Sequence, residues 1–115
     1  MEKIFDLEKR TFEFTKNVAL FCKTLPPNTS NFEYSKQVIR SSGSVGANYI
    51  EANEALSKKD FAMRVKISRK EAKESIYWLR LVAETNLEDV AKKANLLAAE
   101  AMELKKILSA ILQKS

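Results

Sequence analysis

A chain of 115 residues with only two glycines and two prolines, rich in Ala, Leu, Lys and Glu, is long enough for one core and reads as a single all-α domain. Histidine is absent, which excludes His-based catalytic triads, His metal sites and Glu-x-x-His di-iron bundles in one step. The net charge of +5 permits an anionic partner without requiring one, and the single cysteine, Cys22, excludes an internal disulfide and fits a reducing cytoplasm.

Four helical patterns follow in chain order. In the first, Ile4, Leu7, Thr11, Phe14, Val18, Phe21 and Leu25 recur at a/d spacing, with Phe5, Phe12 and Ala19 as a second stripe. Pro26-Pro27 stops this helix. Ser30-x-x-Glu33 has the form of a capping box and is expected to start the second. There Val38, Ser42, Val45, Tyr49, Ala52 and Leu56 make a heptad seam, widened by Ile39, Gly46, Ile50 and Asn53. Gly43 and Gly46 both lie inside it, among Ser41, Ser42, Ser44 and Ala47. Each glycine costs a helix interior roughly 0.5–1 kcal/mol relative to Ala, so the repetition predicts a neighbouring backbone at close range. A hinge is the alternative, and the heptad running in phase on both sides speaks against it.

Ser57-x-x-Asp60 restarts the chain, and Phe61, Val65, Ser68, Ala72, Ser75, Leu79 and Val82 form the third seam. Asn86-x-x-Asp89 is expected to cap the fourth, whose seam is Val90, Ala94, Leu97, Ala101, Leu104, Leu108 and Ile111. Connections this short force antiparallel neighbours, hence an antiparallel up-down-up-down four-helix bundle over residues 1–115. No apolar run approaches a membrane span, and Met1-Glu2-Lys3 does not open a signal peptide.

The third helix carries three faces instead of two. At 100° per residue, Lys59, Lys66, Arg69, Lys70, Lys73 and Arg80 gather away from the core seam. Met63, Ile67, Trp78 and Leu81 gather on another side, with Glu71 and Glu74 among them. One bundle needs one apolar stripe per helix, so the second is expected to be a subunit interface; the alternative is that Trp78 caps the edge of the core. Only Asp60 and Glu71 oppose the cations between Lys58 and Lys73, which makes the basic strip a candidate phosphate-binding surface for RNA or DNA. Its plainer reading is a solvated face, and the sequence shows no aromatic interleaving suited to stacking unpaired bases.

Glu51-x-x-Glu54 and Glu71-x-x-Glu74 are i,i+3 carboxylate pairs of the kind that all-α, Mg²⁺-dependent nucleotide pyrophosphohydrolases use to hold their cation. Their helical phases do not converge inside one bundle. Surface solubility, or pairing with Lys and Arg of a neighbouring subunit, is the preferred role.

The runs Gln37–Ala52 (Q-V-I-R-S-S-G-S-V-G-A-N-Y-I-E-A) and Asp60–Leu81 (D-F-A-M-R-V-K-I-S-R-K-E-A-K-E-S-I-Y-W-L-R-L) resemble the bacterial 23S rRNA intervening-sequence proteins. The likeness covers nearly the whole chain, and the family pattern often has Gly where this chain has Asn53. The resemblance implies an antiparallel four-helix bundle assembling as a homopentamer. The family is also similar to the accessory variability protein of diversity-generating retroelements, a basic pentameric bundle that binds nucleic acid and a reverse transcriptase. The combined reading is a cytoplasmic, non-enzymatic, cofactor-free bundle that self-assembles and binds RNA or DNA. A protein-interaction scaffold whose charge serves solubility is the alternative.

Overall fold

The computed structural model describes the backbone from Glu2 to Ser115 and the side chains from Leu7 onward; Ile4 and Phe5, expected on the first helix's stripes, lie outside the described side chains. Four helices account for almost the whole chain: α1 (Glu2–Lys23), α2 (Thr29–Asn53), α3 (Lys58–Glu84) and α4 (Glu88–Lys114). Each packs on its chain neighbour and α4 closes back on α1, so the helices form an antiparallel square bundle of 45 × 23 × 19 Å. The α1–α4 contact is the thinnest, and a two-pronged Arg10–Glu100 ion pair at 2.7 and 2.8 Å spans it.

The seams close as the periodicity requires. Leu7, Phe14 and Val18 of α1, Val38, Val45 and Tyr49 of α2, Val65 and Leu79 of α3, and Leu104 and Leu108 of α4 are buried in one core. Phe61, Val90, Leu97 and Ile111 pack against it half-buried.

The face of α2 is narrower than its sequence implied. The helix ends at Asn53, and Leu56 sits in the following connection 99% exposed. Ile39 and Ile50 are also exposed, and Asn53 points outward, donating to Glu8 Oε2 of α1 at 2.8 Å. Heptad spacing marks a direction on the helix; it does not mark how far the partner helices reach around it.

Two helix starts differ from expectation. Asn28, not Ser30, caps α2: its side chain accepts from the Asn31 N–H at 2.8 Å, and Ser30 and Glu33 lie exposed within the helix. Ser57 caps α3 as expected, accepting from Asp60 N–H. Asn86 does not cap α4. Leu87 holds that position without a side-chain cap, because Asn86 is engaged elsewhere. Its amide exchanges hydrogen bonds with that of buried Asn31 at 2.8 and 3.0 Å and donates to Val82 O, joining the start of α2 to the end of α3.

Small residues let the helices approach. An added Cβ on Gly46 would lie 2.9 Å from Thr11 Oγ1 and 3.2 Å from Thr11 Cβ, so α1 crosses closely there. At Gly43 the nearest atom would be Thr15 Cγ2 at an ordinary 3.7 Å. Thr15 Oγ1 donates to Ser42 O at 2.8 Å beside this crossing. On the opposite flank of α2, Ser41 and Ser75 hydroxyls meet at 2.8 Å and Ser68 donates to Val45 O at 2.6 Å. The close approach predicted from the glycines is thus made at Gly46.

Candidate nucleic-acid interface

Two acids of α3, Glu71 and Glu74, are held inward by α2. Glu71 is buried, not placed on the outer apolar face, and Arg40 of the same chain binds both it and Glu74. Trp78 Nε1–H donates to Glu74 Oε2 at 3.0 Å. This hydrogen bond, with those and the charge from Arg40, holds the Glu74 carboxyl below the usual range despite partial desolvation. Glu71 and Glu74 therefore both have an intrachain partner in Arg40. Glu51 lies exposed on α2 and Glu54 exposed at its C-cap, and among the described residues no three acids or thiols are placed to share a cation.

With Glu71 and Glu74 turned toward α2, Asp60 and Glu84 are the acids of α3 left near its basic strip. Lys59, Lys66, Lys70, Lys73 and Arg80 are exposed, and none forms a salt bridge among the described residues, where the pairs involve Arg10, Lys16, Lys36, Arg40 and Lys106 instead. Arg69 departs from the strip. It is half-buried toward α4, where its guanidinium donates to Ser109 Oγ at 3.4 Å.

The expected interface residues separate as well. Met63 is 52% exposed, whereas Ile67 and Leu81 are half-buried. Trp78 packs at the edge of its own core, 6.0 Å from the Tyr34 ring of α2 and 5.0 Å from that of Tyr77. Exposed apolar residues also lie on α1 and α2. Phe32, Ile39 and Ile50 point within about 20° of one another along α2, Phe12 stands exposed on α1, and Ala19, Cys22, Phe32 and Ile39 share a groove between the two helices. The second stripe of α1 signals this surface through Phe12 and Ala19. On α2 the signal is masked, because Ile39 and Ile50 lie beside the heptad seam and periodicity alone assigns them to the core.

Between α3 and α4 runs an open groove of about 450 Å³. Lys73 and Arg80 of α3 and Lys105 of α4 line it, together with Tyr77, Met102 and one carboxylate, Glu84. Tyr77, 58% exposed, stands between Lys73 and Arg80 in the helical row. An aromatic ring is therefore interleaved with the basic strip, contrary to the expectation from sequence. The signal was present: Tyr77 follows Lys73 by four residues and precedes Arg80 by three, which puts all three on one face.

A family profile described as 23S rRNA-intervening sequence protein matches residues 4–110. A crystal structure from Bacteroides thetaiotaomicron, described as a protein of unknown function from the S23 ribosomal protein family, is similar in fold with a TM-score of 0.82. It is 32% identical over 92% of this chain and 97% of that one. Among curated proteins, none matches the sequence. The two runs that carry the family likeness face each other across α2 and α3, where Arg40, Ser41 and Val45 meet Glu71, Glu74, Ser75 and Ser68.

Proposed function

The chain belongs to the 23S rRNA-intervening sequence protein family, and from that premise we propose a non-enzymatic bundle that self-assembles and binds RNA or DNA through the outer face of α3. One observation carries the binding: Lys59, Lys66, Lys70, Lys73 and Arg80 are exposed and form no salt bridge among the described residues, while Arg40 binds Glu71 and Glu74 and leaves only Asp60 and Glu84 of α3 near the strip. Unpaired cations on a rigid helix are a poor device for stability and a good one for a polyanion, because each phosphate they neutralise releases counterions.

Assembly is the second part of the proposal. Phe12 of α1 and Phe32, Ile39 and Ile50 of α2 are exposed on two neighbouring helices, and a further copy of the chain is the occupant of this face. The family resemblance implies five copies. A ring of them repeats the basic strip, so a long strand touching several strips gains avidity without any new interaction. The reading places the protein in the cytoplasm. There Cys22 stays reduced, burial having pushed its thiol pKa up.

Replacing Lys66, Lys70 and Lys73 together by Gln removes three charges per subunit and leaves helix propensity nearly unchanged. The variant is expected to fold and assemble as the wild type does, bind nucleic acid more weakly, and show a flatter dependence of affinity on salt, by about 0.9 for each duplex phosphate no longer neutralised. Unchanged affinity would place the binding surface elsewhere. The exposed apolar face on α1 and α2 also favours a second reading, a scaffold for another protein. Absence of any nucleic-acid binding at low salt would decide for it.

A further inference from the structure

We infer that the α3/α4 groove is a site for an unpaired nucleic-acid strand, with Tyr77 stacking on a base while Lys73, Arg80 and Lys105 hold the flanking phosphates. The inference rests on the nucleic-acid reading above and narrows it to strand type and to a site that extends onto α4. Duplex phosphates require only exposed charge, which Lys59, Lys66 and Lys70 already supply farther along α3. The groove adds what a duplex cannot use. It has an apolar floor including Ile76 and Met102, and an aromatic ring set between two cations. Lys73 and Arg80 are separated by about 10 Å along the helix axis, with Tyr77 between them, so a base can stack while its neighbouring phosphates reach positive charge on either side.

The ring is also prepared for the task. Tyr77 meets Trp78 edge-on, with centroids 5.0 Å apart and planes 78° apart. Trp78 is in turn fixed by its hydrogen bond to Glu74 and by Tyr34. A stacking platform held on a helix by a second aromatic loses little freedom on binding. Three cations against the one carboxylate of Glu84 leave the groove positive. An apolar peptide is poorly matched to such a rim, whereas a strand offering base faces and phosphates together matches both parts of it.

The test uses the full chain in its assembled form, with a fluorescein-labelled oligo(U) RNA, which has little structure of its own, and an RNA duplex of the same length. At low salt the single strand is expected to bind more tightly than the duplex. Trp78 is the only tryptophan, so its emission should shift as oligo(U) saturates the protein. Tyr77→Ala should weaken oligo(U) binding about tenfold with little change in salt slope, while Tyr77→Phe should bind as the wild type does. Lys73→Gln with Lys105→Gln should instead flatten the slope, by about 0.7 for each strand phosphate no longer neutralised. Tyr77 is exposed, so circular dichroism should show Tyr77→Ala folded; should it fail to fold, the wild-type emission and the charge variant decide. Equal affinity for strand and duplex with no effect at Tyr77, or an unmoved Trp78 emission at saturation, overturns the inference and leaves the charge-based reading standing. Binding of neither probe removes both.

Discussion

At the scale of single residues, the two glycines of α2 have different work. A methyl at Gly46 collides with Thr11, which is buried, branched at Cβ and held by its hydroxyl on Glu8 O. Gly43→Ala meets only ordinary contact and should gain up to about 1 kcal/mol from helix propensity. Gly46→Ala should come out less stable than Gly43→Ala by about 1–3 kcal/mol, since the overpacking cost is set against the same propensity gain. Urea unfolding of the two variants measures the difference, and equal midpoints would mean that α1 yields freely. The carboxyl of Glu74 offers a second test. Its folded pKa lies below the ordinary glutamate value of about 4.3. Its charged form therefore stabilises the fold above that pH, and the contribution fades as pH falls through the lowered value. The stability gap between wild type and Glu74→Gln should be level near neutrality and narrow on acidification below about pH 4. A gap that does not change with pH would show that the Trp78 and Arg40 contacts do not distinguish carboxylate from amide.

At the scale of elements, helix starts show where local rules hold and where they are overruled. Asn28→Ala should cost about 1 kcal/mol by removing its bond to Asn31 N–H, whereas Ser30→Ala, inside the helix, should change stability by less than about 0.5 kcal/mol. The uncapped start of α4 invites the reverse experiment. Leu87 has the extended backbone of an N-cap and is exposed, so Leu87→Asp should stabilise by about 0.5–1 kcal/mol. Thermal unfolding would register both shifts. Ser30-x-x-Glu33 and Asn86-x-x-Asp89 have the look of caps because the spacing is local and common. Asn86 is drawn away by Asn31, a partner 55 positions earlier that no local pattern reveals.

At the scale of the whole molecule, the proposed contact between copies uses the exposed apolar residues of α1 and α2. Light scattering behind a sizing column should give an oligomer for the wild type. Phe32→Ser with Ile39→Ser should shift the protein toward monomer without loss of helicity. Trp78→Ala should chiefly lower stability, because its ring packs against Tyr34 of its own chain. A wild-type monomer at micromolar concentration would remove self-assembly from the proposal.

The number of helices, their order, the antiparallel arrangement and most core residues follow from the sequence alone. Period and connection length are local properties, and burial of one stripe per helix leaves a four-helix chain few alternatives. The close crossing at Gly46 is legible for the same reason, since a glycine inside a heptad has a cost that only packing offsets. The cations of α3 are also legible as a strip, with Arg69 the exception. The reach of each neighbouring helix around α2 is decided only by tertiary structure, and it leaves Ile39 and Ile50 outside and takes Glu71 in. Tertiary structure likewise gives Glu71 and Glu74 to Arg40, turns Asn86 toward Asn31, and brings Lys105 of α4 beside Tyr77. Each of these depends on which side chains meet across two helices, and helical periodicity says where a residue points without saying what stands opposite.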